Sequence, residues 1–262
     1  MIRLVRAAQA LLIILGLWLA PEARAADVVT IGFVGSVSPT HWPIHIGIKK
    51  GFYAAENVKP DLIFIQSSGN VLQQLAAGSL DATLSAGLVD PIYAIDKGAP
   101  ISIVRLEIQL PPYAINGKPQ HKKIEDLKGK IVMIDSKKGI TRIYIERMLA
   151  AHKIKPSEVD YVYAGATGAR FSALQTGAVD ATILLPPFSF RAEAAGFSNL
   201  GMVADYVKDL PFTGSAVNTN WATKNPALLR RFLSAHNKSV AWLLDPKNRQ
   251  EAIDIMVEVS KL

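Results

Sequence analysis

Apolar residues in this chain come in short runs separated by polar and glycine-rich stretches. Residues 28–33, 61–65, 82–85 and 101–108 are compact, rich in β-branched side chains and bounded by Gly, Ser or Asp, a pattern that predicts buried strands. Helical signals fall between them. Residues 44–50 follow Pro43 and stop at Gly51, one helix runs from the Ser67-Ser68-Gly69-Asn70 stretch to Ala77, and another runs from Gly87 to Lys97. After Leu110-Pro111-Pro112 the theme restarts with strands at 131–134, 160–163 and 181–185. Helices ending near His152, Thr176 and Ala195 follow these strands, and Val203 is expected in a last short strand. Pro211-Phe212-Thr213-Gly214 reads as a second break. Beyond it Asn225-Pro226 opens a helix with an apolar face that includes Leu229, Phe232, Val240 and Leu244, and a final helix is expected from Asn248 to Val259.

The chain says nearly the same thing twice. Gln74-Leu75-Ala76-Ala77-Gly78-Ser79-Leu80-Asp81-Ala82-Thr83 returns 99 residues later as Ala173-Leu174-Gln175-Thr176-Gly177-Ala178-Val179-Asp180-Ala181-Thr182. Each copy reads as a helix end, a Gly that stops it in the left-handed conformation, and the entry to a buried strand. Strands alternating with helices at this spacing predict α/β lobes, each a mostly parallel sheet with helices on both faces. Residues 26–110 with 214–262 form the expected first lobe and 111–213 the second, with two crossings as a hinge. One continuous doubly wound sheet is the alternative architecture, with the proline-rich breaks as ordinary loops.

The first 25 residues read as a signal peptide. They combine Arg3 and Arg6, an uncharged apolar run over 10–20, and Ala23-Arg24-Ala25 as a cleavage site before Ala26. A periplasmic, monomeric protein is therefore expected. The chain has no cysteine, which excludes disulfides, thiolate metal sites, a thiol nucleophile and a lipidated anchor. The net charge of +7 is spread along the chain, without the clustered Lys/Arg and interleaved aromatics of a nucleic-acid surface, so no nucleic-acid partner is expected. The sequence lacks G-x-S-x-G, the phosphate-binding G-x-x-x-x-G-K-[ST], G-x-G-x-x-G and H-E-x-x-H. No catalytic residue, metal or cofactor is expected; His41 and His45 have helical spacing, but a helix start is expected between them.

Ligands of open α/β sheets sit beyond the carboxyl ends of the strands. That rule selects the loops 35–42, 67–70, 86–89, 136–142, 165–167 and 186–188. The candidate binding residues are His41, Trp42, Ser68, Asn70 and Gly87 from one lobe. Ser136, Gly139, Arg142, Thr167 and Phe188 come from the other. Trp42 and Phe188 are expected to cover the apolar body of a ligand. Backbone N–H groups near Asn70 and Gly139 would hold a polar end. Arg142 would pair with an anion, while Lys137 and Lys138 read as more solvated.

Several segments resemble the bacterial ABC-transporter solute-binding proteins of the nitrate/sulfonate/taurine and thiamine-pyrimidine-precursor (NMT1-like) superfamily. They are Ile46-Gly47-Ile48-Lys49-Lys50-Gly51-Phe52-Tyr53 with Glu56-Asn57-Val58, Ala77-Gly78-Ser79-Leu80-Asp81-Ala82, Ile124-Glu125-Asp126-Leu127-Lys128-Gly129-Lys130, and Asn225-Pro226 with Phe232-Leu233. Asn57 stands where that family usually has Gly, and Asp135-Ser136-Lys137-Lys138-Gly139 replaces a commoner Ser/Gly-rich loop; the chain also ends earlier than most members. The resemblance implies a two-lobe periplasmic binding protein of type II-like fold. Such a receptor takes a sulfonate-, taurine-, pyrimidine- or carboxylate-like solute in its cleft and delivers it to an ABC permease at the inner membrane. The rivals are an enzyme on the same scaffold, pyrimidine-forming or hydrolytic, and a ligand-sensing domain of a signalling system. The family's pyrimidine synthase depends on a cysteine-rich motif, which a cysteine-free chain lacks.

Overall fold

The computed structural model describes residues 25–35 and 38–260. Apart from Ala25, the expected signal peptide lies outside the described residues. Two five-stranded sheets organise the chain. The first joins β1 (Asp27–Val34), β2 (Val58–Ile65), β3 (Ala82–Gly87), β4 (Ile101–Ile108) and the late strand β10 (Thr213–Asn218), in the order β2-β1-β3-β10-β4. The second contains β5 (Ala114–Gly117), β6 (Ile131–Ile134), β7 (Asp160–Tyr163), β8 (Ala181–Leu184) and β9 (Ser198–Met202), in the order β7-β6-β8-β5-β9.

The two orders are the same plan. β1 pairs in parallel with β2 and β3, as β6 does with β7 and β8. In each sheet one antiparallel strand, β10 or β5, sits between the third parallel strand and the edge. That strand follows a crossing from the other sheet, so the chain passes between the sheets twice, at 108–114 and 202–213.

The sequence repeat marks the shared joint. Gly78 and Gly177 both stop a helix at positive φ, 80° and 75°. Asp81 Oδ2 accepts the Thr30 N–H of β1 at 2.8 Å, and Asp180 Oδ2 accepts the Ile131 N–H of β6 at 3.0 Å. Each Asp N–H in turn donates to the carbonyl of the same partner at 2.9 Å. The apolar-Asp-Ala-Thr entry thus fastens the third strand to the start of the first, satisfying backbone groups that no other strand reaches.

Helices cover both faces of each sheet because successive strand residues point opposite ways. In the first lobe Val29, Ile31 and Phe33 pack with Phe232 and Ala235 of the long helix Pro226–Leu244. On the other face Val71, Leu72 and Leu75 of α3 (Ser68–Ala77) pack with Leu80 and Ile101. In the second lobe Val132 and Ile134 meet Tyr144, Ile145 and Met148 of α5 (Ile140–Ala151). Phe171 and Leu174 of α6 (Thr167–Gln175) meet Leu184 on its other side. The remaining helices named below are α1 (Trp42–Lys49), α4 (Val89–Asp96) and α7 (Phe188–Ala194).

Two expectations are corrected. Val203 does not lie in a strand: it opens the short helix Val203–Tyr206, and the strand before it is Ser198–Met202. Only Leu200 of that strand is buried, so the apolar signal fell on Val203, which is buried in the core from the next element. Thr213 and Gly214 are not simply a break but open β10, every residue of which is buried. Its backbone is paired on both sides, so Thr and Ser sit in a sheet interior without apolar patterning. No helix of the described residues is long and apolar enough to cross a membrane.

Candidate functional site

The carboxyl ends of six parallel strands converge on one cavity of about 1150 Å³. Its wall takes Gly35 after β1, Gln66 after β2, Gly87 at the end of β3, Asp135 after β6, Gly165 after β7 and Pro186 after β8. Both lobes therefore contribute, by the rule that places ligands beyond strand ends. Around the cavity the lobes touch. A Cβ on Gly165 would lie 2.8 Å from the Gln66 carbonyl oxygen and 3.1 Å from Ser67 Cβ, so only glycine allows this approach. On another side the Lys138 ammonium lies 5.3 Å from the centre of the Tyr93 ring.

The helices α3, α5 and α6 begin at the wall. The N-cap of α3 is Ser67, whose hydroxyl accepts the Asn70 N–H at 3.3 Å. The helices α5 and α6 start after Gly139 and Ala166, and no side chain caps either one. Their first N–H groups keep donor capacity and a positive dipole end toward the cavity side.

Of the ten expected binding residues, His41, Ser68, Gly87, Ser136, Thr167 and Phe188 line the cavity. His41 is 1% exposed, lies edge-on to Phe33 with ring centres 4.6 Å apart, and accepts the Ser38 N–H at Nδ1. Burial, helped by the charge of His45, pushes its pKa down to about 3, so the ring is neutral at any ordinary pH. Phe188 packs on Phe171, with centres 5.6 Å apart, and its ring fills the space in front of Gly168.

The other four do not line it. Trp42 packs with Ile46, Ala252, Ile255 and Met256 under the last helix, because the first turn of α1 aims it at the C-terminal segment. Asn70 is exposed, and its backbone N–H is spent on the Ser67 cap. Gly139 faces the Asp135 carboxylate, whose oxygens lie 2.4 and 2.5 Å from where its Cβ would be. Arg142 turns along its own helix, donates from Nε to Glu146 at 2.7 Å, and stacks 4.7 Å from the Tyr161 ring centre.

Sequence reasoning missed Arg170, which is 1% exposed. Its Nε donates to the Ile183 carbonyl at 3.0 Å, one Nη to those of Ala164 and Gly165 at 3.0 and 2.7 Å, and the other Nη to the Thr167 hydroxyl at 3.0 Å. The guanidinium staples the loop 164–167 to the end of β8. The available signal was its place on the apolar side of α6, four residues before Leu174. Asp90, Tyr93, Tyr113 and Phe212 were also missed; each lines the cavity from α4 or from a crossing segment.

The sequence model of the NMT1/THI5-like family matches residues 38–249, from the first cavity loop to the start of the final helix. The chain belongs to the NMT1/THI5-like family. No curated protein sequence matches this family member. Solved structures do resemble it in fold. The alkanesulfonate-binding protein SsuA of Xanthomonas axonopodis pv. citri, bound to MOPS, superposes with a TM-score of 0.75 at 19% identity, over 92% of this chain and 81% of that one. The periplasmic nitrate-binding protein NrtA of Synechocystis PCC 6803 gives 0.77 at 17%, over 90% and 68%. A variant of DszB in complex with biphenyl-2-sulfinic acid gives 0.63 at 14%, over 90% and 81%. These likenesses establish for this NMT1/THI5-like chain the two-lobe fold of periplasmic binding proteins. Among the described residues no group of three or more His, Cys, Asp or Glu is placed to hold a metal ion.

Proposed function

We propose that the chain is the exported solute receptor of an ABC importer. It binds one small polar organic molecule between its lobes, as a monomer, and hands it to the permease at the inner membrane. The observation that carries the reading is the convergence of six strand ends from two like sheets on one cavity, with the two walls in contact through Gly165. A volume of about 1150 Å³ accommodates an aromatic or medium-sized organic solute, far more than a bare oxyanion needs. The sulfonate, nitrate and sulfinate named for the fold neighbours support a small polar solute as the class. Closure is a shift of population toward the conformer in which both walls contact the solute. The signal-peptide pattern of residues 1–25 supports a periplasmic location.

An enzyme is the second reading, favoured by one observation: DszB, a fold neighbour, is an enzyme. The neutral His41 lacks a nucleophile or carboxylate partner among the described residues, so no acid–base pair is assembled around it. A thermal-shift screen of the mature protein against sulfonates, carboxylates, pyrimidines and amines, with mass spectrometry of each compound afterwards, separates the readings. A true solute at about 100 times its Kd adds about 2.7 kcal/mol of stability and is recovered unchanged. Turnover of the stabilising compound would make the protein an enzyme.

A further inference from the structure

The charges that line the cavity are sorted by depth, with the carboxylates half-buried and the lysines exposed. Asp90, in the first turn of α4, and Asp135, after β6, both line it, one from each lobe. The cations around them are placed differently. Arg170 is buried behind the 164–167 loop with its donors committed to three carbonyls and a hydroxyl. Lys97 and Lys138 lie exposed at the rim, each over the ring of Tyr93, and Lys97 also pairs with Asp96 at 3.0 Å. Solvent and salt screen such rim charges. The less exposed part of the wall therefore carries the two carboxylates, and the ammonium groups stay at the exposed rim.

The carboxylates also have unused acceptor capacity. Asp135 Oδ1 takes the Ser136 N–H and the Thr141 hydroxyl, and Oδ2 has no hydrogen bond among the described residues. Asp90 has the Ser68 hydroxyl beside it as a donor and no other side-chain hydrogen bond among the described residues. Half-buried carboxylates with acceptor capacity left over are ready partners for a charged donor. Aromatic walls stand close by: Tyr93 and Phe188 line the space, as do Tyr113 and Phe212, which pack edge to face at 5.1 Å.

We infer that the solute carries a cationic nitrogen, an amine or amidine on an aromatic or similarly flat body, held between Asp90 of one lobe and Asp135 of the other. This rests on the receptor reading above and names the chemistry of that same site. The nitrogen brings a positive charge and donors to both half-buried carboxylates, and it does so only when the lobes are together. The electrostatics agree: burial pushes the Asp90 carboxyl up, the nearby Ser68 hydroxyl works against this, and the charge of Asp135 adds to the rise. A solute with only a sulfonate or carboxylate would add a second negative charge to the same space. An anionic group on a zwitterion instead finds the uncapped N-terminus of α6.

Calorimetry with matched probes tests this: 4-(aminomethyl)benzoate against 4-(hydroxymethyl)benzoate, and benzamidine against benzoate. The cationic member of each pair should bind about thirtyfold tighter or more. Asp90→Asn should abolish that preference while raising the Tm of the ligand-free protein, because it removes a repulsion. A merely structural Asp90 would give a lower Tm and leave the preference intact. Equal binding within each pair, or binding of the anions alone, overturns the inference and leaves the receptor reading standing. If a cation-free sulfonate or carboxylate from the wider screen binds and none of the four probes does, the inference again falls alone. A protein that binds nothing in either set loses the receptor reading, and the inference falls with it.

Discussion

Asp81 and Asp180 occupy equivalent places in the two lobes and make the same pair of backbone bonds, yet their electrostatic surroundings are opposite. Burial pushes the Asp81 carboxyl up, and the Thr30 N–H offsets this only in part. Burial also works against Asp180, but the Ile131 N–H, Lys118 and His121 outweigh it and hold its pKa below the usual carboxylate range. Lys118 Nζ reaches Asp180 Oδ1 at 2.9 Å. The fold reuses the geometry of this joint, whereas charge is set locally by whatever neighbours each lobe happens to supply. The same holds at the cleft. Both lobes present strand-end loops and helix starts, but the first brings neutral His41 and half-buried Asp90, and the second brings Asp135 and the Arg170 staple.

The largest effect expected from this comparison is shared by the lobes. Leu75 and Leu174 are 99 residues apart in the repeat and both fully buried, each in the outer core of its own lobe. Leu75→Ala and Leu174→Ala should each cost about 3 kcal/mol by denaturant unfolding. A large loss at one site and none at the other would show that the equivalence is only in the sequence. Next comes Gly165→Leu. Its side chain would meet the Gln66 carbonyl and Ser67, groups of the other lobe, so solute affinity should fall at least about tenfold while the Tm of the ligand-free protein holds.

The aspartates should differ. Asp180→Asn should lose about 1–2 kcal/mol at pH 7, through the weakened Lys118 pair and a poorer acceptor for Ile131. Since the folded pKa of Asp180 is depressed, its contribution is present above the ordinary carboxylate range and lost as pH falls through and below it. Asp81 has the opposite sign. Its raised folded pKa means that stability is fuller when the carboxyl is protonated and declines as pH rises past that range. Asp81→Asn keeps an acceptor for Thr30 and should be neutral or stabilising at pH 7. Unfolding curves from pH 3 to pH 7 would expose any common behaviour of the two and so break the contrast. The smallest effect belongs to Arg142→Ala, which should change solute affinity less than about twofold, since that side chain is engaged with Glu146 and Tyr161.

The strands with β-branched apolar runs were legible in the sequence, as was the doubled unit around Asp81 and Asp180. The strands β5 and β10 were not, because they are buried by position in the sheet: Asn116, Thr213 and Ser215 sit inside without an apolar alternation to reveal them. For the site, the rule of strand ends selects loops that border the cavity, and six of the ten candidate residues line it. It failed where a side chain on the right loop points elsewhere. Trp42 lies next to His41 in the chain, but one turns under the C-terminal helix and the other toward the cavity. Loop membership is a property of sequence order; direction is set by helix phase and by which partner offers burial. Asp90 and Arg170 escaped for a related reason, since each is part of a helix whose start or inner face reaches the site.

Opening and closing of the two lobes on a solute is the central claim, and the absence of cysteine makes it directly measurable. Spin labels placed through Asp61→Cys on β2 and Asp160→Cys on β7, both exposed, report the separation of the two edge strands that lead to Gln66 and Gly165. With a saturating concentration of the solute found by the screen, electron–electron double resonance should give one narrow, short distance, replaced by a longer and broader distribution when the solute is removed. An identical distribution with and without a bound solute would contradict the account.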